Sequence, residues 1–193
     1  MTSQERHDAL IELLNVSQSI TGFETPSAIE KHPKLIPVPG FAGRISLWHF
    51  PSQKQLMEIA RDGCNCIVTL QAATEDPHIK LIQAACIQTG MEWIQLNFWQ
   101  NYYQHQGSEG HPAITRLIDQ ICEKVKAGQS VMLHCAAGIH RTGILIYGVL
   151  RRLGFESSAT LNLIKTMRSA TYEHCGTDRF NEMEAKCRLW FNI

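Results

Sequence analysis

The chain has 193 residues, 44% hydrophobic and 19% charged, and its 18 Lys plus Arg balance 18 Asp plus Glu; this is enough chain for one domain with a real core, without the basic excess of a nucleic-acid or membrane binder. No apolar run is long enough to cross a bilayer, and Met1–Asp8 lacks the apolar core of a signal peptide. Seven cysteines without regular spacing point to a reducing, cytoplasmic setting rather than a disulfide scaffold.

Residues 4–15 read as a short amphipathic helix with Leu10, Ile11, Leu13 and Leu14 on its apolar side. The proline-rich stretch 31–40 must be extended or looped, so residues 1–34 form a lead-in to a core running from about 35 to 193. Arg44–Trp48 reads as a strand. Ser52 with Gln55 makes a capping box for a helix through Arg61, stopped by Gly63. Cys66–Leu70 is a buried strand, Asp76-Pro77 opens a helix to about Thr89 that Gly90 ends, and Glu92–Leu96 is the next strand. A loop over 97–110 carries Phe98, Trp99, Tyr102 and Tyr103, which either wall a substrate site or pack the loop onto the core. His111-Pro112 opens a helix through Lys126 with Ile114, Leu117, Ile118, Ile121 and Val125 at helical spacing. A strand over 131–134 follows, then helices over 142–153, about 157–168 and about 178–190. Strands separated by helices predict an α/β fold, a mostly parallel central sheet flanked by helices on both faces, with ligands bound beyond the carboxyl ends of the strands.

The stretch Val131–Gly143 sits there: an apolar strand, a tight loop, then the first turn of a helix. A helix N-terminus leaves N–H groups unpaired in a positive field, and a loop entering one binds anions. Ala136, Ala137 and Gly138 let the backbone curl around a phosphate, Gly138 being free to take positive φ. Arg141 offers a planar fork for two phosphate oxygens. Cys135 lies in the same field, which lowers a thiol's pKa; full ionisation raises the nucleophile population roughly thirtyfold. Thr142 is placed to donate its hydroxyl to the Cys135 sulfur. His134 orients the loop rather than serving as a base, because a thiolate needs none.

His134-Cys135, five residues, then Arg141-Thr142 resembles the signature of cysteine-dependent protein phosphatases, and the layout over about 35–190 is similar to that of a small dual-specificity phosphatase. The resemblance implies a single phosphatase domain over 1–193, with Cys135 as nucleophile, Arg141 as phosphate clamp and Thr142 assisting. The backbone from Ala136 through Ala137, Gly138, Ile139 and His140 to Arg141 would cradle the phosphate. It implies no metal or cofactor, and a phosphorylated protein as substrate: phosphotyrosine first, with phosphoserine and phosphothreonine possible. Similar enzymes acting on inositol lipids carry lysines inside the loop, and this one has none. Neither a nucleic-acid nor a membrane partner is implied. Two other functions stand beside this: a phosphate-binding module of little turnover, and a phosphatase for a non-protein ester.

One departure concerns the general acid. Similar phosphatases use an aspartate on the loop after the strand 92–96, where this chain has Asn97, which cannot donate a proton as an acid. The candidates to replace it are Glu109, His105 and His111 from the long loop, Glu75 or Asp76 after the strand 66–70, and Asp178. Each is alternatively a solvated surface group. Aryl esters suffer least from a missing acid, phenoxide being the better leaving group. The water-positioning glutamine usual beyond the 157–168 helix is also absent, and Arg168 and Arg179 there are expected to make surface or helix-cap ion pairs. His140 either contacts phosphate or stands exposed at the loop rim. Cys64-Asn65-Cys66 is too short a pattern for a zinc site and suggests ordinary buried thiols. A minority reading pairs Cys64, Cys66 or Cys86 with Cys135 in a reversible disulfide.

Overall fold

The computed structural model describes residues 31–103 and 112–193. Five strands form one sheet: β1 (Ile36–Pro37), β2 (Arg44–Trp48), β3 (Cys66–Thr69), β4 (Glu92–Gln95) and β5 (Ser130–His134), in the order β1-β2-β5-β3-β4. All neighbours are parallel except β1, an antiparallel edge piece whose Pro37 suits an edge. The helices of the described residues are α1 (Gln53–Arg61), α2 (Ile79–Thr89), α3 (Phe98–Tyr103), α4 (Pro112–Lys126), α5 (His140–Arg152), α6 (Ser157–Met167), α7 (Ser169–Cys175) and α8 (Thr177–Phe191). None is long and apolar enough to cross a membrane.

The period-two geometry of a strand sends alternate residues to opposite faces, and both faces here are apolar. Ile45, Leu47, Cys66, Val68, Val131 and Leu133 join the larger core with residues of α3 to α8. Trp48, Ile67 and Met132 meet Leu56 and Ile59 of α1 and Ile82, Ala85 and Cys86 of α2. Two-sided burial is why these strands read as unbroken apolar runs rather than alternating ones. On the larger face the Arg151 side chain, 9% exposed, fastens α5 to α8 through Glu184 at 2.7 Å.

The capping box forms as expected: Gln55 N–H donates to Ser52 Oγ, and Ser52 N–H donates to Gln55 Oε1. Two expectations need correction. The aromatic stretch after β4 is not all loop, because Asn97 caps α3 and Phe98 and Tyr102, stacked at 5.1 Å, enter the core one turn apart. The segment between the 157–168 and 178–190 helices holds α7, which an extended Arg168 (φ −165°) separates from α6. The expected helix over 4–15, and Glu109, His105 and His111, lie outside the described residues.

Candidate active site

β5 is the central strand, and the loop leaving its carboxyl end lies between those leaving β2 and β3. Cys135 is the first loop residue, 3% exposed. Two donors converge on its sulfur: Gly138 N–H at 3.2 Å and Thr142 Oγ1 at 3.3 Å. Gly138 supplies the turn with φ +68°; a Cβ there would lie 2.2 Å from Trp48 O and 2.5 Å from Arg168 Nη1. Ala136, Ala137 and His140 are exposed around the rim, whereas the Ile139 side chain packs on the core. α5 begins two residues earlier than expected, so Arg141 lies in its first turn.

Arg141 is 9% exposed. Its Nη1 donates to Leu70 O at 3.0 Å and to Glu75 Oε2 at 2.6 Å, and its Cζ stands 5.8 Å from the centre of the Trp99 ring. Of the acid candidates in the described residues, Glu75 alone is brought to the arginine, its other oxygen accepting from Ala72 N–H. Asp76 turns instead to His78, whose backbone N–H and ring hold its carboxyl below the ordinary range. Asp178 is exposed in the first turn of α8. Asn97 accepts from Gln100 N–H and donates to Gln100 Oε1, which makes it a cap. Of the aromatics, Trp99 is the wall facing the guanidinium, while Phe98 and Tyr102 are core.

His134 is fully buried. Trp93 Nε1–H donates to Thr69 Oγ1 at 2.9 Å, and the same hydroxyl is hydrogen-bonded to His134 Nε2 at 2.8 Å. Burial, aided by the positive charges of His49 and Arg141, pushes the imidazole down to about 3. The ring is therefore a neutral strut. His140, exposed at the rim, is also pulled down, by partial burial and then by the Arg179 charge.

Arg168 overturns its expectation. It is 8% exposed, and it is turned inward onto the loop: its Nη1 donates to Gly138 O at 2.7 Å and Ala137 O at 3.2 Å, with Thr171 Oγ1 also donating to Gly138 O at 2.7 Å. Behind the loop Phe50 N–H takes Ala136 O at 2.9 Å. Three consecutive carbonyls are thus held outward, which turns amides of the same loop inward. Arg179 does act as a cap, donating to Cys175 O at the end of α7. Sequence reasoning missed Arg168, Thr171 and Phe50 as supports of the loop, since nothing in their spacing ties them to it.

Cys64, Cys66 and Cys86 are buried free thiols, which burial pushes up to about 11, 12 and 12. None can reach Cys135. Cys66 pairs in register with Val131, four residues before Cys135, or about 13 Å along the strand, far beyond the Cα separation of a disulfide. Cys64 precedes Cys66, and Cys86 packs beneath α2 on the other face of the sheet.

The comparisons with known proteins agree with this architecture. The candidate tyrosine phosphatase 123R of Invertebrate iridescent virus 6 is 24% identical over 95 residues, 49% of this chain and 65% of that protein, so the match spans less than two thirds of its relative. Among solved structures, Tk-PTP in its active form matches with a TM-score of 0.58 at 20% identity, over 82% of this chain and 97% of that one. Kinase-associated phosphatase, with its catalytic-site cysteine replaced by serine, gives 0.62 at 11% identity, over 84% and 98%. PTPMT1 in complex with PI(5)P gives 0.50 at 16% identity, over 74% and 93%. These likenesses establish the fold. A family model described as the tyrosine phosphatase family matches residues 58–162, more than half of the chain and the whole of the Cys135–Arg141 loop, and the chain belongs to that family.

Proposed function

We propose that the chain hydrolyses phosphomonoesters through a cysteinyl-phosphate intermediate, with protein phosphotyrosine as the substrate class its site suits best and phosphoserine or phosphothreonine as slower ones. The observation that carries this reading is the sulfur of Cys135 receiving two hydrogen bonds at the mouth of a helix N-terminus. Donors aimed at a sulfur stabilise its anion. The Cys135 thiolate attacks phosphorus, an S–P bond forms, and the ester oxygen leaves with its electron pair. Water then attacks phosphorus, releasing inorganic phosphate and the thiolate, and Thr142 Oγ1 donates to the departing sulfur.

Arg141 is the clamp. Its Nη1 serves both Leu70 O and Glu75, so Nε and Nη2 remain for phosphate oxygens. Glu75 in this pair is a positioning residue: both of its oxygens are engaged as acceptors, Oε2 by the Arg141 guanidinium and Oε1 by Ala72 N–H. With Asn97 spent as a cap, no carboxylic acid among the described residues is aimed at the ester oxygen, and this favours aryl esters. The same thiol chemistry suits a reducing, cytoplasmic compartment.

The test is steady-state hydrolysis of an aryl phosphate. Wild type turns it over, and Cys135→Ser loses at least about a thousandfold in kcat while keeping its melting temperature. Binding of phosphotyrosine peptide without turnover by wild type would replace the enzyme with a phosphate-binding module.

A further inference from the structure

A groove of about 340 Å³ opens beside the phosphate cradle, lined by Phe50, Pro51, Leu56, Asp76, Leu81 and Ile82, with Ser52, Gln53 and His78 at its edges. It sits where α1 and α2 begin, on the same sheet edge as the Cys135 loop, and shares walls with that loop at two points. Phe50 N–H bonds Ala136 O, and the Phe50 ring stands edge-on to His134 at 5.7 Å. On the other side Asp76 directly follows Glu75, the partner of Arg141.

The floor is apolar: Leu56 and Ile82 are each 1% exposed, and Leu81 at the rim is 58% exposed. What sets Leu81 apart from a lone exposed apolar residue is that it stands over a concave, mainly apolar groove with a buried floor. We propose that this groove is a specificity subsite, taking an apolar side chain of the Leu, Ile, Met or Phe type that flanks the phosphorylated residue of a protein substrate. The proposal rests on the phosphatase reading above and names its substrate class.

The charge of the groove selects the occupant. No lysine or arginine lines it, so it offers no permanent cation to a second phosphate or a polyphosphorylated headgroup. Its rim carries the Asp76 carboxylate, which the His78 N–H keeps ionised and which repels such groups. Its volume lies at the small end of ligand pockets, roughly 300–1,000 Å³, and matches one or two side chains. On this proposal one extended peptide occupies both cradle and groove, its phosphoryl group over Cys135 and a neighbouring side chain against Leu81.

The experiment uses phosphotyrosine peptides carrying one leucine in a serine-glycine background, at each of the three positions on either side, with a small aryl phosphate as reference. Burying a good part of a leucine side chain predicts a preference of about tenfold in kcat/KM at one position, expressed mainly in KM. Leu81→Asp and Leu81→Ser, both at an exposed position, should erase that preference and leave aryl phosphate kinetics unchanged. Equal turnover of all peptides, or a preference that survives both substitutions, overturns the subsite while the phosphatase reading stands. Failure of wild type to hydrolyse even the aryl phosphate overturns that reading, and the subsite with it. Phosphatidylinositol phosphate vesicles supply the last arm: if wild type hydrolyses them, Leu81→Asp abolishes that activity and peptide turnover is flat, the groove serves a lipid and the proposal fails.

Discussion

Arg168→Met is the sharpest test of how the cradle is held, because it keeps side-chain length and removes the donors. The wild-type guanidinium gives charged hydrogen bonds to Gly138 O and Ala137 O, and such bonds are worth about 1.5–3 kcal/mol each. The net loss is smaller. Gly138 O keeps its bond from Thr171 Oγ1 at 2.7 Å, Ala137 lies exposed and its carbonyl regains water, and the buried charge no longer has to be desolvated. A net cost of about 2 kcal/mol remains, which in a chain of this size lowers Tm by about 4–8 °C. The effect on turnover should be larger than that on stability, since the freed carbonyls let the loop amides rotate away from phosphate. Losing one oxyanion donor outright costs about 10²–10³ in kcat, so loosened amides should cost about tenfold to a hundredfold, with Arg168→Lys recovering part. Thermal melts and aryl phosphate kinetics on the same preparations decide. A Tm lowered as expected with kcat/KM within about twofold of wild type would refute the claim that Arg168 orients the amides.

Gly138→Ala combines a strained φ of +68° with a Cβ 2.2 Å from Trp48 O, costing roughly 1–2 kcal/mol for the left-handed conformation and 1–3 kcal/mol for overpacking; urea melts should show that loss, and aryl phosphate hydrolysis should vanish. Glu75→Gln keeps an acceptor oxygen but removes the charge facing Arg141, at a side chain that is 32% exposed, so kcat/KM should fall by about tenfold with the basic limb of the pH–rate profile intact. Loss of that limb would make Glu75 the acid and refute its positioning role. His134, held down to about 3 in the folded protein against 6.5 for a free histidine, binds its proton only in the unfolded chain between those values. Its contribution is therefore intact above pH 6.5 and lost as pH falls, by up to about 1.4 kcal/mol per unit. Urea midpoints at pH 7 and pH 4.5 should differ by more in wild type than in His134→Asn, and equal differences would place the pH sensitivity elsewhere.

The fold was legible because its strands are short, apolar and punctuated. Ser52 with Gln55 and Gly90 at φ +73° are local devices, and local devices are what a sequence displays. The candidate phosphate loop was legible for the same reason: Cys135, Gly138, Arg141 and Thr142 lie within one strand-loop-helix segment. What failed was non-local. Arg168 reaches back thirty residues to Gly138, and an isolated arginine between two helices is indistinguishable in sequence from a solvated one. α3 was hidden because two of its aromatics face the core and one faces Arg141, so neither helical nor alternating periodicity appears over six residues. The disulfide reading failed on register, which places Cys66 beside Val131 and which no cysteine spacing reveals.

The four helices that follow the parallel strands all begin at the carboxyl edge of the sheet, yet their N-termini differ in what they offer an anion, and the reason lies in the residues around them. α1 is closed by the reciprocal bonds of Ser52 and Gln55. α2 has no side-chain cap, but Asp76 just ahead of it takes the His78 N–H and sets a carboxylate before that terminus, and α3 is capped by Asn97. α5 has no side-chain cap, its preceding residue being Ile139. A side-chain oxygen satisfies the orphan donors of a helix and places negative charge at its positive end, which removes the attraction for a second anion. Asn97 therefore marks an N-terminus that is spent, whereas α5 begins where the chain supplies a sulfur in place of a capping oxygen, and the proposed phosphate site follows from that difference.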